Sequence, residues 1–96
     1  MRQKVTRQVE LKRRRARLLR LHYELKRNGT KVRVRKPRNG HWQLKIRGGG
    51  WSETVLCAGA EDTYVYVTAH GRLLGTTGEV RHIARLLAWM VERHQR

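Results

Sequence analysis

Leucines in the first third of the chain recur at the spacing of one helix face. They are Leu11, Leu18, Leu21 and Leu25. The pattern predicts a helix from about Thr6, the candidate N-cap, to Arg27, and the run Lys26-Arg27-Asn28-Gly29 is typical of a helix C-terminus. Between Leu11 and Leu18 the only apolar residue is Ala16. We therefore expect the second half of this helix to dock on the core and the first half to project outward.

Two alternating segments, Lys31–Arg35 and His41–Arg47, predict a β-hairpin. A three-residue loop Arg38-Asn39-Gly40, with Gly40 in the left-handed conformation, would give a register that keeps the apolar residues together. The predicted cross-strand pairs are Val32 with Ile46 and Val34 with Leu44. The apolar face would bury Val32, Val34, Trp42, Leu44 and Ile46. The opposite face of this hairpin would then be polar throughout.

Further strands and a second helix are predicted downstream. The predicted elements are strands at Trp51–Ala58 and Thr63–Ala69, a turn at Gly59–Asp62, and a turn or short strand at His70–Gly75. Trp51, Val55 and Cys57 would share one face of their strand. Thr76 and Glu79 have capping-box spacing for a helix that runs to about His94, with an apolar stripe wide enough for a core helix.

This order, α-β-β-β-β-α with hairpin-length connections, indicates an α+β fold. A small antiparallel sheet of three to four strands would be flanked by a basic N-terminal helix and an amphipathic C-terminal helix. Ninety-six residues suffice for one core, so residues 1–96 are expected to form a single domain. Its parts would be a helix at 6–27, a sheet at 31–69 and a helix at 76–94.

Charge adds a functional expectation to this fold. The chain has 23 Lys and Arg against 7 Asp and Glu, a net charge of +16. Residues 1–48 carry all of that net charge, with 12 Arg among their 18 basic residues, whereas residues 49–96 are neutral. Self-repulsion at this level opposes compaction, and Arg suits forked contacts to phosphates and base edges. We therefore expect a nucleic acid, DNA or RNA, as the partner.

Two basic surfaces are predicted to bind it: the Arg-rich helix and the polar face of the hairpin. Either a helix or a two-stranded ribbon can enter a groove and neutralise phosphates, and Gln43 would offer an amide to a base edge. The candidate residues are Lys12, Arg13, Arg14, Arg15, Arg17, Arg20, Lys31, Arg33, Arg35, Arg38, Gln43, Lys45 and Arg47. The alternative is a helix and a sheet face that contact only water, but such a face is expected to mix both signs of charge.

No catalytic site, metal site or cofactor is predicted. The histidines and Cys57 never occur at zinc-ligand spacing, and the acidic residues are too few for a metal-dependent nuclease. Gly48-Gly49-Gly50 lacks the ending of a phosphate loop and is interpreted as a flexible hairpin connection. Tyr64 and Tyr66 share a face, and either they stack on bases or they lie in the core.

A single cysteine and the lack of an apolar run of transmembrane length favour the cytoplasm and no membrane partner. By analogy, small Arg-rich domains are typical of bacteriophage and mobile-element regulators. The rival hypothesis is an inhibitor or adaptor that docks on a nucleic-acid-processing complex, such as a polymerase or nuclease, and competes with its nucleic acid. Sequence specificity, oligomeric state and host stay open.

The segment Asn39-Gly40-His41-Trp42-Gln43-Leu44-Lys45-Ile46 resembles the sheets of integrase arm-binding domains and of a class of plant DNA-binding domains. That resemblance covers the hairpin and implies a three-stranded sheet docked in the major groove, backed by one helix. The long basic helix before it is not part of that pattern. The helix-sheet-helix order is also similar to double-stranded-RNA-binding domains, but their basic motif in the last helix is absent here.

Overall fold

The structure is a computed structural model that describes residues 2–36, 38, 41–60 and 63–94, with only the backbone described for residues 2–8 and 60. Its elements are α1 Arg2–Arg27, β1 Lys31–Arg35, β2 Gln43–Gly48, β3 Trp51–Ala60, β4 Thr63–Thr68, β5 Leu73–Thr76 and α2 Val80–His94, with a 3₁₀ turn at Thr77–Glu79. The predicted α+β fold with a helix at each end is confirmed. The sheet has five strands where three to four were predicted.

The five strands form an antiparallel meander in the order β1-β2-β3-β4-β5, so β1 and β5 are the edges. The register of β1 and β2 is the predicted one, with Val32 opposite Ile46 and Val34 opposite Leu44. Strand β2 begins at Gln43, two residues later than the alternation indicated. The predicted left-handed Gly40 lies outside the described residues.

The connection between β2 and β3 is a tight turn. Gly48 pairs with Trp51, and the two residues between them, Gly49 and Gly50, have φ of 54° and 77°. Positive φ at both central residues is the requirement of a type I′ turn, whose twist matches that of a hairpin. The predicted hairpin connection is confirmed: Gly48 ends β2, and Gly49 and Gly50 form the turn.

Strand β5 is the fifth strand, in the segment predicted as a turn or a short strand. It has only four residues, and its register with β4 shifts between Tyr66 and Val67. A bulge of this kind breaks the alternation by which a strand is recognised. Strand β3 also runs further than predicted, through Gly59 to Ala60. The remainder of the predicted turn, residues 61 and 62, lies outside the described part of the chain.

Both helices pack on one face of the sheet, and the core lies between the two layers. Its buried members are Leu18, Leu21, Leu25, Leu44, Ile46, Val55, Cys57, Tyr64, Tyr66, Val80, Ile83, Ala84, Leu87 and Val91. Val55 and Cys57 share this face with Trp51, as predicted. No described element packs on the other side of the sheet, which we call the outer face.

Four predictions about helix ends have different outcomes. The stop after α1 is confirmed: Gly29 has φ of 76°, its N–H donates to the Lys26 carbonyl, and the Thr30 N–H donates to the Leu25 carbonyl, both at 3.0 Å. The N-cap at Thr6 is wrong, because α1 begins at Arg2 and passes through this residue.

The capping box at the start of α2 is also wrong. The Thr76 hydroxyl donates to the Glu79 carboxylate at 3.2 Å and makes no hydrogen bond to the helix backbone. The chain first makes a 3₁₀ turn, and α2 begins only at Val80. The predicted end at His94 is confirmed.

Candidate nucleic-acid interface

The outer face of the β1–β2 hairpin brings together five predicted cations, which we call the basic sheet face. They are Lys31, Arg33, Arg35, Lys45 and Arg47. Lys31 lies directly opposite Arg47, and Arg33 lies opposite Lys45. Like charges in directly opposed positions destabilise an antiparallel pair. The hairpin therefore carries an electrostatic cost that folding alone does not require.

These five cations surround a groove. Together with Val32 they line a cavity of about 250 Å³. On β3, Ser52 pairs with Arg47 and Thr54 pairs with Lys45, so the neighbours of these two cations on the next strand are uncharged. Glu53 pairs with Ile46 and therefore belongs to the other face. Within the described strands, no carboxylate occupies the outer face.

The remaining predicted residues of this region differ in accessibility. Gln43 lies opposite Arg35 and, like Lys45, is half-buried because β2 is an inner strand. Arg38 is exposed in the connection between β1 and β2. Trp42, Val32 and Val34 pack against the core as predicted, but all three are only partly buried. The reason is position: Val32 and Val34 lie on an edge strand, and Trp42 lies just before β2.

The predicted cations of α1 fall into two groups. The exposed group contains Lys12, Arg13, Arg15 and Arg20. Arg13 pairs with Glu10 across 3.7 Å, and the Arg15 guanidinium lies 4.9 Å from the centre of the Trp42 ring. Lys36, a cation that the sequence analysis did not select, approaches the same ring at 5.6 Å.

Arg14 and Arg17 form the second group, which is half-buried and faces the sheet. The Arg14 guanidinium donates twice to the Gly59 carbonyl, at 3.1 and 2.7 Å. The Arg17 guanidinium lies 4.0 Å from the centre of the Tyr64 ring. The expectation that this half of the helix projects outward is therefore wrong from Glu10 onward. Arginine counts as polar in a hydrophobic pattern, yet its stem and planar head pack well against a protein surface.

Tyr64 and Tyr66 belong to the core, and the proposal that they stack on bases is wrong. Both are buried. The Tyr64 hydroxyl donates to the Glu10 carboxylate, and the Tyr66 hydroxyl donates to the Arg17 carbonyl at 2.7 Å. Burial raises the pKa of both phenols, so they stay neutral and donate. These bonds anchor α1 to β4 and leave Val65 and Val67 on the outer face.

Cys57 is a core residue. Burial raises the pKa of its thiol to about 11, against the opposing effect of the Arg17 and Arg14 charges, so the thiol stays protonated at neutral pH. No cluster of three or more His, Cys, Asp and Glu suited to a metal occurs in the described part of the chain. None of its helices is both long and apolar enough to cross a membrane.

The helical layer carries cations that the sequence analysis missed. Arg81 and Arg85 of α2 are exposed and line one cavity together with Arg20 of α1. Residues 49–96 have no net charge, so the sequence alone does not single these two arginines out, and only the fold brings them beside Arg20. Since both helices cover one face of the sheet, this group and the basic sheet face lie on opposite sides of the molecule.

No known protein family matches this chain, and no curated protein or solved structure shows significant similarity to it. The evidence for a function is therefore the arrangement of the side chains themselves.

Proposed function

We propose that this protein binds nucleic acid through the basic sheet face, mainly by contacts to phosphates. The supporting observation is the pairing of Lys31 with Arg47 and of Arg33 with Lys45, on a face without a described carboxylate. A face that only has to be solvated would carry both signs of charge. Phosphates would neutralise the opposed cations and release the counterions of the nucleic acid, which favours binding.

Duplex DNA fits this surface better than duplex RNA. The B-DNA major groove is about 12 Å wide and admits a two-stranded ribbon, whereas the major groove of A-form RNA is too deep and narrow for side chains. Strand β1 is an edge strand, so no further strand would prevent the hairpin from entering the groove. We therefore expect tighter binding to duplex DNA.

A pair of charge-matched variants tests the proposal. Arg33→Gln/Arg35→Gln removes two cations from the basic sheet face, and Arg72→Gln/Arg93→Gln removes two exposed cations elsewhere. Fluorescence anisotropy with a labelled duplex of about 20 base pairs should show roughly tenfold weaker binding for the first variant and a much smaller change for the second. Equal losses would mean that net charge, and not this face, determines affinity.

A second candidate function is docking on an acidic protein, as an adaptor or inhibitor. The observation that favours it is an apolar strip on the same outer face, beside the cations: Leu56 pairs with Val67 and Ala58 with Val65, and all four are partly exposed. Protein interfaces combine an apolar centre with a polar rim.

Val65→Thr/Val67→Thr should leave DNA affinity unchanged if the first proposal holds. A wild-type protein that binds no duplex at low salt would favour the second.

The other expectations stay predictions. They are a cytoplasmic location, the lack of enzymatic activity, and a role as a bacteriophage or mobile-element regulator.

A further inference from the structure

We propose that a second phosphate-binding site lies between α1 and α2, and that the protein bridges two separate duplexes. This inference rests on the proposed function, because it assigns the first duplex to the basic sheet face. The second site is a trough lined by Arg20 on α1 and by Arg81 and Arg85 on α2, and we call it the helix trough.

The helix trough has two neighbouring cavities. Its three arginines line a cavity of about 520 Å³ near the start of α2. Arg81 and Arg85 also border a neighbouring cavity of about 250 Å³, which is lined further by Glu24 and Arg27 of α1 and by Asn28 just after it. Arg20 borders a third, of about 280 Å³. Each neighbouring cavity thus shares at least one arginine with the helix trough.

Two carboxylates line these cavities, Glu79 in the one of about 520 Å³ and Glu24 in the one that Arg27 also lines, and both have partners. Glu24 pairs with Arg27 at 3.9 Å, and Glu79 accepts a hydrogen bond from the Thr76 hydroxyl. Considering the described residues alone, the structure shows no ion pair for Arg20, Arg81 or Arg85, and all three are exposed. Planar guanidinium groups that converge in this way suit the oxygens of phosphate groups. A sugar-phosphate backbone is the ligand whose repeating charge fits a trough of arginines.

The geometry separates this site from the first. The helices cover one face of the sheet and the five hairpin cations lie on the other, so the two sites lie on opposite sides of a two-layer molecule. Interactions between exposed charges are largely screened beyond a Debye length of about 8 Å at physiological ionic strength, so phosphates on opposite sides of both layers scarcely repel each other. A duplex of about 20 base pairs is much shorter than the persistence length of about 150 base pairs and does not bend around the molecule. The two sites therefore engage two duplexes.

A bead assay with two duplexes tests this inference. A biotinylated duplex is immobilised on streptavidin beads, the full chain is added, and a fluorescent duplex of different sequence follows. Wild-type protein should retain the fluorescent duplex on the beads. Two triple variants remove the same charge from opposite faces of the molecule. The helix-trough variant is Arg20→Gln/Arg81→Gln/Arg85→Gln, and the sheet-face variant is Arg33→Gln/Arg35→Gln/Arg47→Gln. Each should retain about tenfold less fluorescent duplex, while the protein itself still binds the beads through its remaining face.

The outcomes separate the two proposals. Wild-type protein that binds the beads but retains no second duplex overturns bridging and leaves the proposed function standing. Protein that does not bind the beads at all overturns both. Full retention by both triple variants would also overturn the two-face arrangement. Thermal melting checks that each variant folds, and Arg81→Gln/Arg85→Gln on α2 is the milder replacement if the triple variant does not.

Discussion

At the scale of single residues, the arginines of α1 have different roles according to the side of the helix they occupy. Arg14 and Arg17 contact the β3–β4 hairpin, whereas Arg15 and Arg20 are exposed to solvent. Adjacent residues in a helix point about 100° apart, so one basic run supplies both sides. A count of charges therefore does not identify which cations are available to a ligand.

This division predicts unequal effects on stability. Arg14→Gln/Arg17→Gln removes two hydrogen bonds to the Gly59 carbonyl and the contact with the Tyr64 ring, and should lower the free energy of unfolding by about 1–3 kcal/mol. The matched control Lys12→Gln/Arg20→Gln changes exposed side chains and should cost under about 0.5 kcal/mol. Urea unfolding measures both. Equal losses in the two variants would show that the contacts of Arg14 and Arg17 with the β3–β4 hairpin contribute nothing to the free energy of unfolding.

The partial burial of Trp42 gives a prediction about both stability and DNA binding. Its ring packs partly against the core and lies beside Arg15 and Lys36. Because it is only partly buried, Trp42→Ala should cost about 2–3 kcal/mol, less than the 3–5 kcal/mol typical of a buried large aromatic residue. DNA affinity should change little under conditions where the variant is folded. A variant with unchanged stability and no DNA binding would instead place Trp42 in the interface.

The environment of His22 is expected to make the stability of the fold depend on pH. Desolvation, assisted by the Lys26 charge, lowers the pKa of its imidazole in the folded protein, against a hydrogen bond with the Val32 backbone. The folded state therefore binds a proton less readily than the unfolded state, whose pKa is about 6.5, and stability falls as the pH drops through that value. Between about pH 7.5 and pH 5.5, the melting temperature should fall more for wild type than for His22→Gln. Identical shifts would refute this role of His22.

At the scale of elements, the features predicted correctly had two independent signals. The hairpin register followed from alternation and loop length together, and the end of α1 from its last cations and Gly29. The sequence does not distinguish strand β5 from a turn, because the strand has only four residues and its bulge interrupts the alternation. The packing of Arg14 was missed since a hydrophobic pattern scores arginine as polar. Arg81 and Arg85 were missed because only the fold brings them beside Arg20.

The turn between β2 and β3 gives a prediction at this scale. Gly50 has φ of 77° with open space around the missing Cβ, so the strain of a larger residue there comes from the backbone alone. Gly50→Val should therefore lower the free energy of unfolding by about 1–3 kcal/mol. Gly49→Asn should be nearly neutral, since Asn-Gly is a preferred type I′ pair. Chemical denaturation compares the two, and equal costs would argue against this turn type.

At the scale of the whole molecule, the fold redistributes the charge that the sequence concentrates in residues 1–48. One part lies on the basic sheet face, and another part lies across the molecule, where α1 meets arginines contributed by the neutral second half. A straight duplex can meet only one of these surfaces at a time. Binding of a single duplex should therefore involve the cations of one face and not the total charge of +16.

The salt dependence of duplex affinity shows how many cations of the protein meet phosphates. If the five cations of the basic sheet face each neutralise a phosphate, log affinity should fall with log salt with a slope of roughly −4.5. Arg33→Gln/Arg35→Gln should reduce the magnitude of that slope by about 1.8, and Arg72→Gln/Arg93→Gln should leave it unchanged. Isothermal titrations over a series of salt concentrations provide the measurement. A flat dependence, or a slope that both variants alter equally, would contradict phosphate binding by the basic sheet face.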